Sequence, residues 1–401
     1  MLNTLATRKL LLFAVALYAI LPLPWILWRP EGLFYSFHLT LLPLIAAAFA
    51  TFFVGWCLGE QLRPAGGWFA ISAPSARAQR WPVATLAIIG ALLCSLAANL
   101  VLYSMGALAI DEAEGRARIP FLTTLGNAHI FALIYTGCIL FSSAKGRKSP
   151  LMLALAVISV VATVGLGLIE NRRTAVVLPL AVYAVLMLLT GRSRQVWKLL
   201  LVVPLFMVLF AAATYYRTAP GSGVEIDESA MVIGGDALFG RLGNPLLVLD
   251  PVFDYLRTTR APMDPHTIQS IFAGLPNLGL VAPPFATGYG NEFGRQLGLL
   301  PPSNDYTGIN SGWIGELLLL GGFPAVLIGG VLLGALAATG WRLISATHPA
   351  GIFLRVMAVI FIVSGFQMEV PFPIVSLLRA ALIAILLAAA DWYLANKFRP
   401  S

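Results

Sequence analysis

Glu316 stands one turn inside an apolar stretch that opens at Trp313, directly after the polar run Pro302-Ser-Asn-Asp-Tyr-Thr-Gly-Ile-Asn-Ser-Gly-Trp313. A carboxylate at that position is costly unless it is paired or faces water, which makes it a site candidate by default. Ionised, it could take a proton from a hydroxyl, and Asp305 in the preceding polar run could do the same in a wetter setting. The plainer role for Glu316 is an ion pair, with Arg379 inside the last apolar stretch as the obvious partner. His266, the sole histidine between Thr214 and Gly312, is a third candidate base. Neither His266 nor His129 has a second histidine at metal-ligand spacing, so no zinc site is expected.

Arg172 and Arg173 follow Glu170 in Glu170-Asn-Arg-Arg-Thr174, between two apolar stretches. A cation there meets the positive end of the next helix's macrodipole. An anionic partner resolves the conflict: Glu170, a lipid headgroup phosphate, or a bound pyrophosphate, for which guanidinium forks are geometrically suited. Arg241 and Arg295 are further candidates on a long loop that contains no lysine. Arg295 closes Gly288-Tyr-Gly-Asn-Glu-Phe-Gly-Arg295, where Tyr289 and Asn291 add an aromatic face and an amide, a mixture suited to a sugar phosphate. Each of these arginines could equally pair with the loop's acids. The acidic run Asp111, Glu112 and Glu114 could hold a divalent cation, but acids on a connection more often mark a solvated, outward segment. No Gly-x-x-x-x-Gly-Lys phosphate loop is present, so a nucleotide-driven pump is not expected, nor any cofactor.

What must position these groups is a membrane bundle. The 401 residues are 59% hydrophobic and 11% charged, with a mean hydropathy of +0.85, against about 25% charge in a soluble domain. About ten apolar stretches can each cross a hydrocarbon core of about 30 Å. They run Leu10–Leu27, Phe34–Leu58, Pro82–Tyr103, Phe121–Phe141, Leu151–Leu168, Ala175–Thr190, Leu199–Ala213, Trp313–Ala338, Gly351–Phe366 and Ile374–Leu394. The first lacks a small-residue cleavage site and reads as a retained helix. Cys57, Cys94 and Cys138 all fall inside these stretches, so no disulfide framework is expected outside them.

The net charge of +8 reports topology rather than nucleic-acid binding. Lys9, Lys145, Lys148, Lys198 and Lys397 all fall on one side when the spans alternate, which makes that side cytoplasmic and puts both termini there. Residues 214–312 then form one large loop on the opposite, periplasmic face, inserted in a single membrane domain covering 1–401. Loops of that length are functional or disordered. Leu238, Leu242, Leu246, Leu249 and Phe253 recur at helical spacing, so this one is expected to form short amphipathic helices lying on the bundle.

Asn171-Arg-Arg-Thr-Ala-Val176 and Thr307-Gly-Ile-Asn-Ser-Gly-Trp-Ile-Gly-Glu316, the latter followed by Gly321-Gly-Phe-Pro324, together with this layout resemble the O-antigen polymerase, or oligosaccharide repeat-unit polymerase (Wzy), family. The motifs cover a small part of the chain, and the rest of the likeness is architectural. The related O-antigen ligases place a histidine shortly before the helix after the loop, where this chain has Asp305 and Tyr306. The resemblance implies an all-α, GT-C-like bundle in the bacterial inner membrane. It implies a donor glycan on undecaprenyl pyrophosphate and a lipid-linked repeat unit as acceptor, joined at the periplasmic face. Arginines would take a metal's place around the pyrophosphate, and a chain-length regulator and a flippase would be the protein partners. Two alternatives stay open: ligation of finished polymer to lipid A-core, and transport of a lipid-linked solute. A transporter should carry its polar groups through the midplane with access from both sides.

Overall fold

The computed structural model describes residues 22–28, 39–61, 82–106, 119–142, 146, 148–169, 173–190, 192, 246–259, 294–295, 312–343, 349–365 and 371–397, with single positions at 196, 198, 201, 205 and 208. The fold is all-α. In chain order the helices are α1 (Leu23–Trp28), α2 (Leu42–Gln61, entered through a 3-10 turn at Leu39–Leu41), α3 (Pro82–Ser104), α4 (Pro120–Gly126), α5 (Ala128–Ser142), α6 (Pro150–Ile169), α7 (Arg173–Leu189), α8 (Leu249–Thr259), α9 (Gly312–Leu343), α10 (Pro349–Gly365) and α11 (Pro371–Lys397).

Proline sets many of the starts. Pro82, Pro120, Pro150, Pro349 and Pro371 each occupy the first position of a helix, where the missing N–H would have no intrahelical partner anyway. Ser149 adds a side-chain cap, its Oγ accepting from Met152 N–H at 3.4 Å. Within the helices the hydroxyls bond back to their own turns, as Thr136 does to the Ala132 carbonyl and Ser159 to that of Leu155, both at 2.7 Å. An apolar surrounding leaves such groups no water to use.

Among the described residues, five candidate spans are long and apolar enough to cross a membrane: Leu42–Gln61, Val83–Ser104, Phe121–Phe141, Pro150–Ile169 and Gly312–Trp341. Three shorter apolar helices accompany them, Leu178–Leu189, Pro349–Ile362 and Ile374–Ala390. Most of each of the expected spans Leu199–Ala213 and Leu10–Leu27 lies outside the described residues.

Helix α5 is the centre. Ala132 through Leu140 are all buried, so no side of this stretch faces outward, and α3, α4, α6, α7 and α10 pack around it. The surrounding helices turn apolar faces out instead: Leu86, Leu93 and Leu100 on α3, Val157 and Val161 on α6, Ile328, Leu332 and Leu336 on α9. Exposed leucine and valine in such rows suit acyl chains, not water.

The most extensive helix pair is α2 with α9. Gly55 and Gly59 on α2 face Val331 and Ala335 on α9, while Gly330 and Gly334 on α9 face Thr51 and Phe52 on α2. Each helix therefore presents glycines four residues apart to the other's backbone, the small-residue spacing that lets two helices approach closely in lipid. The order of contacts, Ala48 with Gly330 and Gly59 with Ala335 and Ala338, makes the two helices parallel.

Two expected spans are in fact interrupted. Phe121–Phe141 is α4 and α5, separated at Asn127. The stretch expected as one span from Trp313 to Ala338 breaks at Gly321 and Gly322, dividing α9 into α9a (residues 312–320) and α9b (residues 323–343). Gly322 has φ 67° and ψ −157°, a combination open essentially to glycine alone, and Pro324 then starts α9b. The break is a reversal. Leu317 Cδ1 lies 2.5 Å from the place a Cβ on Gly329 would occupy, whereas twelve residues of unbroken helix would hold them about 18 Å apart. α9b alone is still long enough to cross, at about 31 Å.

Part of the loop is visible as α8, which packs on α9 as expected of an amphipathic segment. Its inward face is the expected one except at Phe253. Leu246, Leu249 and Val252 are buried, but Phe253 is 49% exposed, because the buried stripe runs on through Tyr255 and Leu256. Leu238 and Leu242 lie outside the described residues.

Candidate functional site

Glu316 sits on α9a and is 3% exposed. The same short helix buries Trp313, Ile314, Leu318 and Leu319. Trp313 fixes it in place: its ring lies 6.5 Å from that of Phe49, edge-on, and 5.9 Å from that of Phe52. Those two residues are about two to three turns into α2, so α9a runs alongside the bundle rather than over its end. Trp313, packed against α2, and Leu317, packed against α9b, thus flank Glu316 on α9a, and the residue is carried on a protein-enclosed element.

Arg379 is half-buried on α11, which packs chiefly on α10 and also on α3, and its Nη1 donates to Thr124 Oγ1 on α4 at 3.5 Å. Arg173 is the first residue of α7, the helix start expected for it, with no acidic residue in the first turn. Arg295 is half-buried and, with Gly294, helical. Arg172, Arg241, His266, Tyr289, Asn291 and Asp305 lie outside the described residues. Of the candidates, then, Trp313 and Glu316 share one element, and Arg379 meets α4, part of a second polar neighbourhood, through Thr124.

That second neighbourhood contains residues the sequence reading passed over. Ser95, Asn99 and His129 are 1%, 4% and 2% exposed and converge on a single carbonyl, that of Gly126. Ser95 Oγ donates to it at 2.6 Å and Asn99 Nδ2 at 2.9 Å, and His129 Nδ1 approaches it to 2.9 Å. The interruption at Asn127 makes the carbonyl available, since Ile130 N–H donates to Asn127 O at 3.0 Å instead of reaching one residue further back. A carbonyl only accepts, so His129 Nδ1 carries the proton and also lies 3.0 Å from Ser95 Oγ; in the neutral ring the lone pair is on Nε2. His129 is therefore a member of a buried network. The signal was present: Ser95 and Asn99 are four apart on an otherwise apolar helix and so share a face.

Two further arginines sit over rings, Arg192 over Phe141 and Arg355 over Trp341, each 5.3 Å from the centroid. A ring face attracts the guanidinium stacked on it.

Comparison with protein-family models, curated proteins and solved structures finds no match for this chain.

Proposed function

We propose that the chain is a glycan polymerase of the bacterial inner membrane. It transfers a glycan from undecaprenyl pyrophosphate to a lipid-linked repeat unit on the periplasmic face, in a GT-C-like bundle of about ten spans with both termini cytoplasmic. The observation that carries this reading is the Glu316 carboxylate, enclosed on a short reversed helix that follows the long loop. An enclosed carboxylate in an apolar bundle is kept for a function unless it is only a structural partner. In the proposed step the acceptor hydroxyl oxygen attacks the anomeric carbon and Glu316 takes the hydroxyl proton. The bond to the pyrophosphate oxygen breaks, and undecaprenyl pyrophosphate leaves. Arg172, Arg173, Arg295 and Arg379 supply positive charge where phosphate charge grows.

One observation favours a second reading. A helix interrupted at Gly321–Gly322 is also a feature of transporters, whose sites form at such breaks. A deletion strain separates the readings. Loss of a polymerase leaves surface glycan with single repeat units, loss of a flippase leaves none at the surface, and loss of a ligase leaves long polymer unattached. The first outcome is expected; either of the others replaces the reading.

Sidedness has its own test. A phosphatase fused near Pro262 should be active and one fused after Arg194 inactive. The parallel run of α2 and α9b agrees with this alternation, since both would pass from the periplasmic to the cytoplasmic side. The reverse pattern of activities would put the loop, and every acceptor contact assigned to it, on the wrong face.

A further inference from the structure

We infer that Arg192, stacked on Phe141 at the shared end of α5, α6 and α7, binds the headgroup phosphate of an anionic phospholipid whose acyl chains lie along the outer face of α6.

Topology gathers the charge. α5, α6 and α7 pack on one another, and the short connections between them make α6 run opposite to its two neighbours. The chain leaving α5 and the chain leaving α7 therefore belong to one end of the bundle, the end assigned above to the cytoplasm. Their sequence supplies Lys145, Arg147, Lys148, Arg192, Arg194 and Lys198. No acid accompanies them, since between Gly137 and Lys198 the one carboxylate is Glu170, just past the opposite end of α6. Glu60 and Asp391, the acids expected at this end, are on α2 and α11, which pack chiefly on α9 and α10. Arg192 is the built-in member of the group. Its backbone N–H donates to Met187 O at 2.8 Å, a six-to-one bond that closes the end of α7. Its guanidinium carbon lies 5.3 Å from the Phe141 centroid, and the Phe141 ring is braced by that of Tyr183, 6.0 Å away. The side chain is half-buried, and among the described residues its guanidinium makes no hydrogen bond or ion pair. Stacking occupies the face of the fork and leaves its edge, where the N–H donors are, for two oxygens of a phosphate. The neighbouring surface selects a lipid over a free anion. Lys148 is exposed just ahead of α6, and Leu151, Val157, Ile158 and Val161 follow along that helix, each more than half exposed. Positive charge continued by an apolar row fits a phosphate that carries acyl chains.

The test counts bound lipid by native mass spectrometry while phosphatidylglycerol, or phosphatidylcholine of the same acyl chains, is titrated into the purified full-length protein in detergent. Phosphatidylglycerol should bind the more tightly. Arg192→Gln should weaken it about tenfold and leave phosphatidylcholine unchanged. Phe141→Leu, which removes no charge, should weaken it roughly two- to fivefold by releasing the guanidinium. A diffuse positive field would respond to the lost charge and ignore the lost ring, so normal binding in Phe141→Leu overturns the site. Equal affinity of the unsubstituted protein for the two lipids, or an equal loss of both in Arg192→Gln, overturns it as well. If Phe141→Leu fails to accumulate, Arg192→Lys decides, because it keeps the charge and loses the planar fork. Undiminished phosphatidylglycerol binding in that variant counts against the site. Inorganic phosphate should not displace the lipid; displacement would make this a bare-anion site and end the lipid assignment.

Discussion

Glu316→Gln should polymerise lipid-linked repeat units about 10²- to 10⁴-fold more slowly than the unsubstituted chain, with donor binding retained. That range is what a positioned general base contributes to proton transfer. The amide keeps the shape of the side chain on α9a, so the clamp of Trp313 against Phe49 and Phe52 survives and the change reports the lost basic site. Asp305→Asn is the paired experiment, because Asp305 is the competing base in the polar run ahead of α9. Glu316 loses its assignment if the Gln variant turns over normally while Asp305→Asn does not. Normal turnover in both variants would pass the role to His266. A variant that fails to accumulate, in contrast to one that accumulates and is inactive, would mark Glu316 as the structural ion-pair member considered from the sequence.

Gly334→Ala should cost roughly 1–3 kcal/mol of stability or more, the range for forcing an extra carbon into a packed contact. A Cβ at Gly334 would collide with the Phe52 carbonyl and lie 2.8 Å from Trp56 N, and neither backbone group can turn aside as a side chain could. The control is on the same helix. Gly340 has nothing within 4 Å of its would-be Cβ, so Gly340→Ala should be neutral or stabilising by up to about 1 kcal/mol through helix propensity. Thermal unfolding of the purified proteins in one detergent checks the difference in sign. Equal melting of the two variants would mean that the α2–α9b approach is not the close one described.

Much of the bundle is legible in the sequence because hydropathy and proline mark it directly. Pro82 opens α3 as expected, and α6, α7, α10 and α11 start within a few residues of their expected positions. The interruption of α9 is less legible, because eighteen-residue averages stay apolar across Gly321 and Gly322 and only the pairing of Leu317 with Gly329 reveals the reversal. Gly-Gly-Phe-Pro was a visible motif whose conformational meaning depends on a tertiary contact. The glycine spacing of α2 and α9 is likewise in the sequence, but which two helices it joins is not. For the site, the cost of a carboxylate in an apolar run singles out Glu316 without any structure. The network around Gly126 does not announce itself that way: its members are neutral and ordinary one by one, and they come from two helices. The shift of the α8 face from Phe253 to Val252 has the same origin, since one-sided periodicity fixes a face only to within a neighbouring residue.

The parallel pairing of α2 with α9b sets an order of events during biogenesis. Gly55 leaves the ribosome long before Val331, the residue it faces, and at roughly 5–20 residues per second the delay is on the order of 14–55 s. For that interval α2 lies in the bilayer with its glycine face open, and every span from α3 to α7 is inserted while it waits. A late helix must then reach one of the first, so a chain released before α9b leaves α2 without its most extensive partner and exposed to membrane quality control.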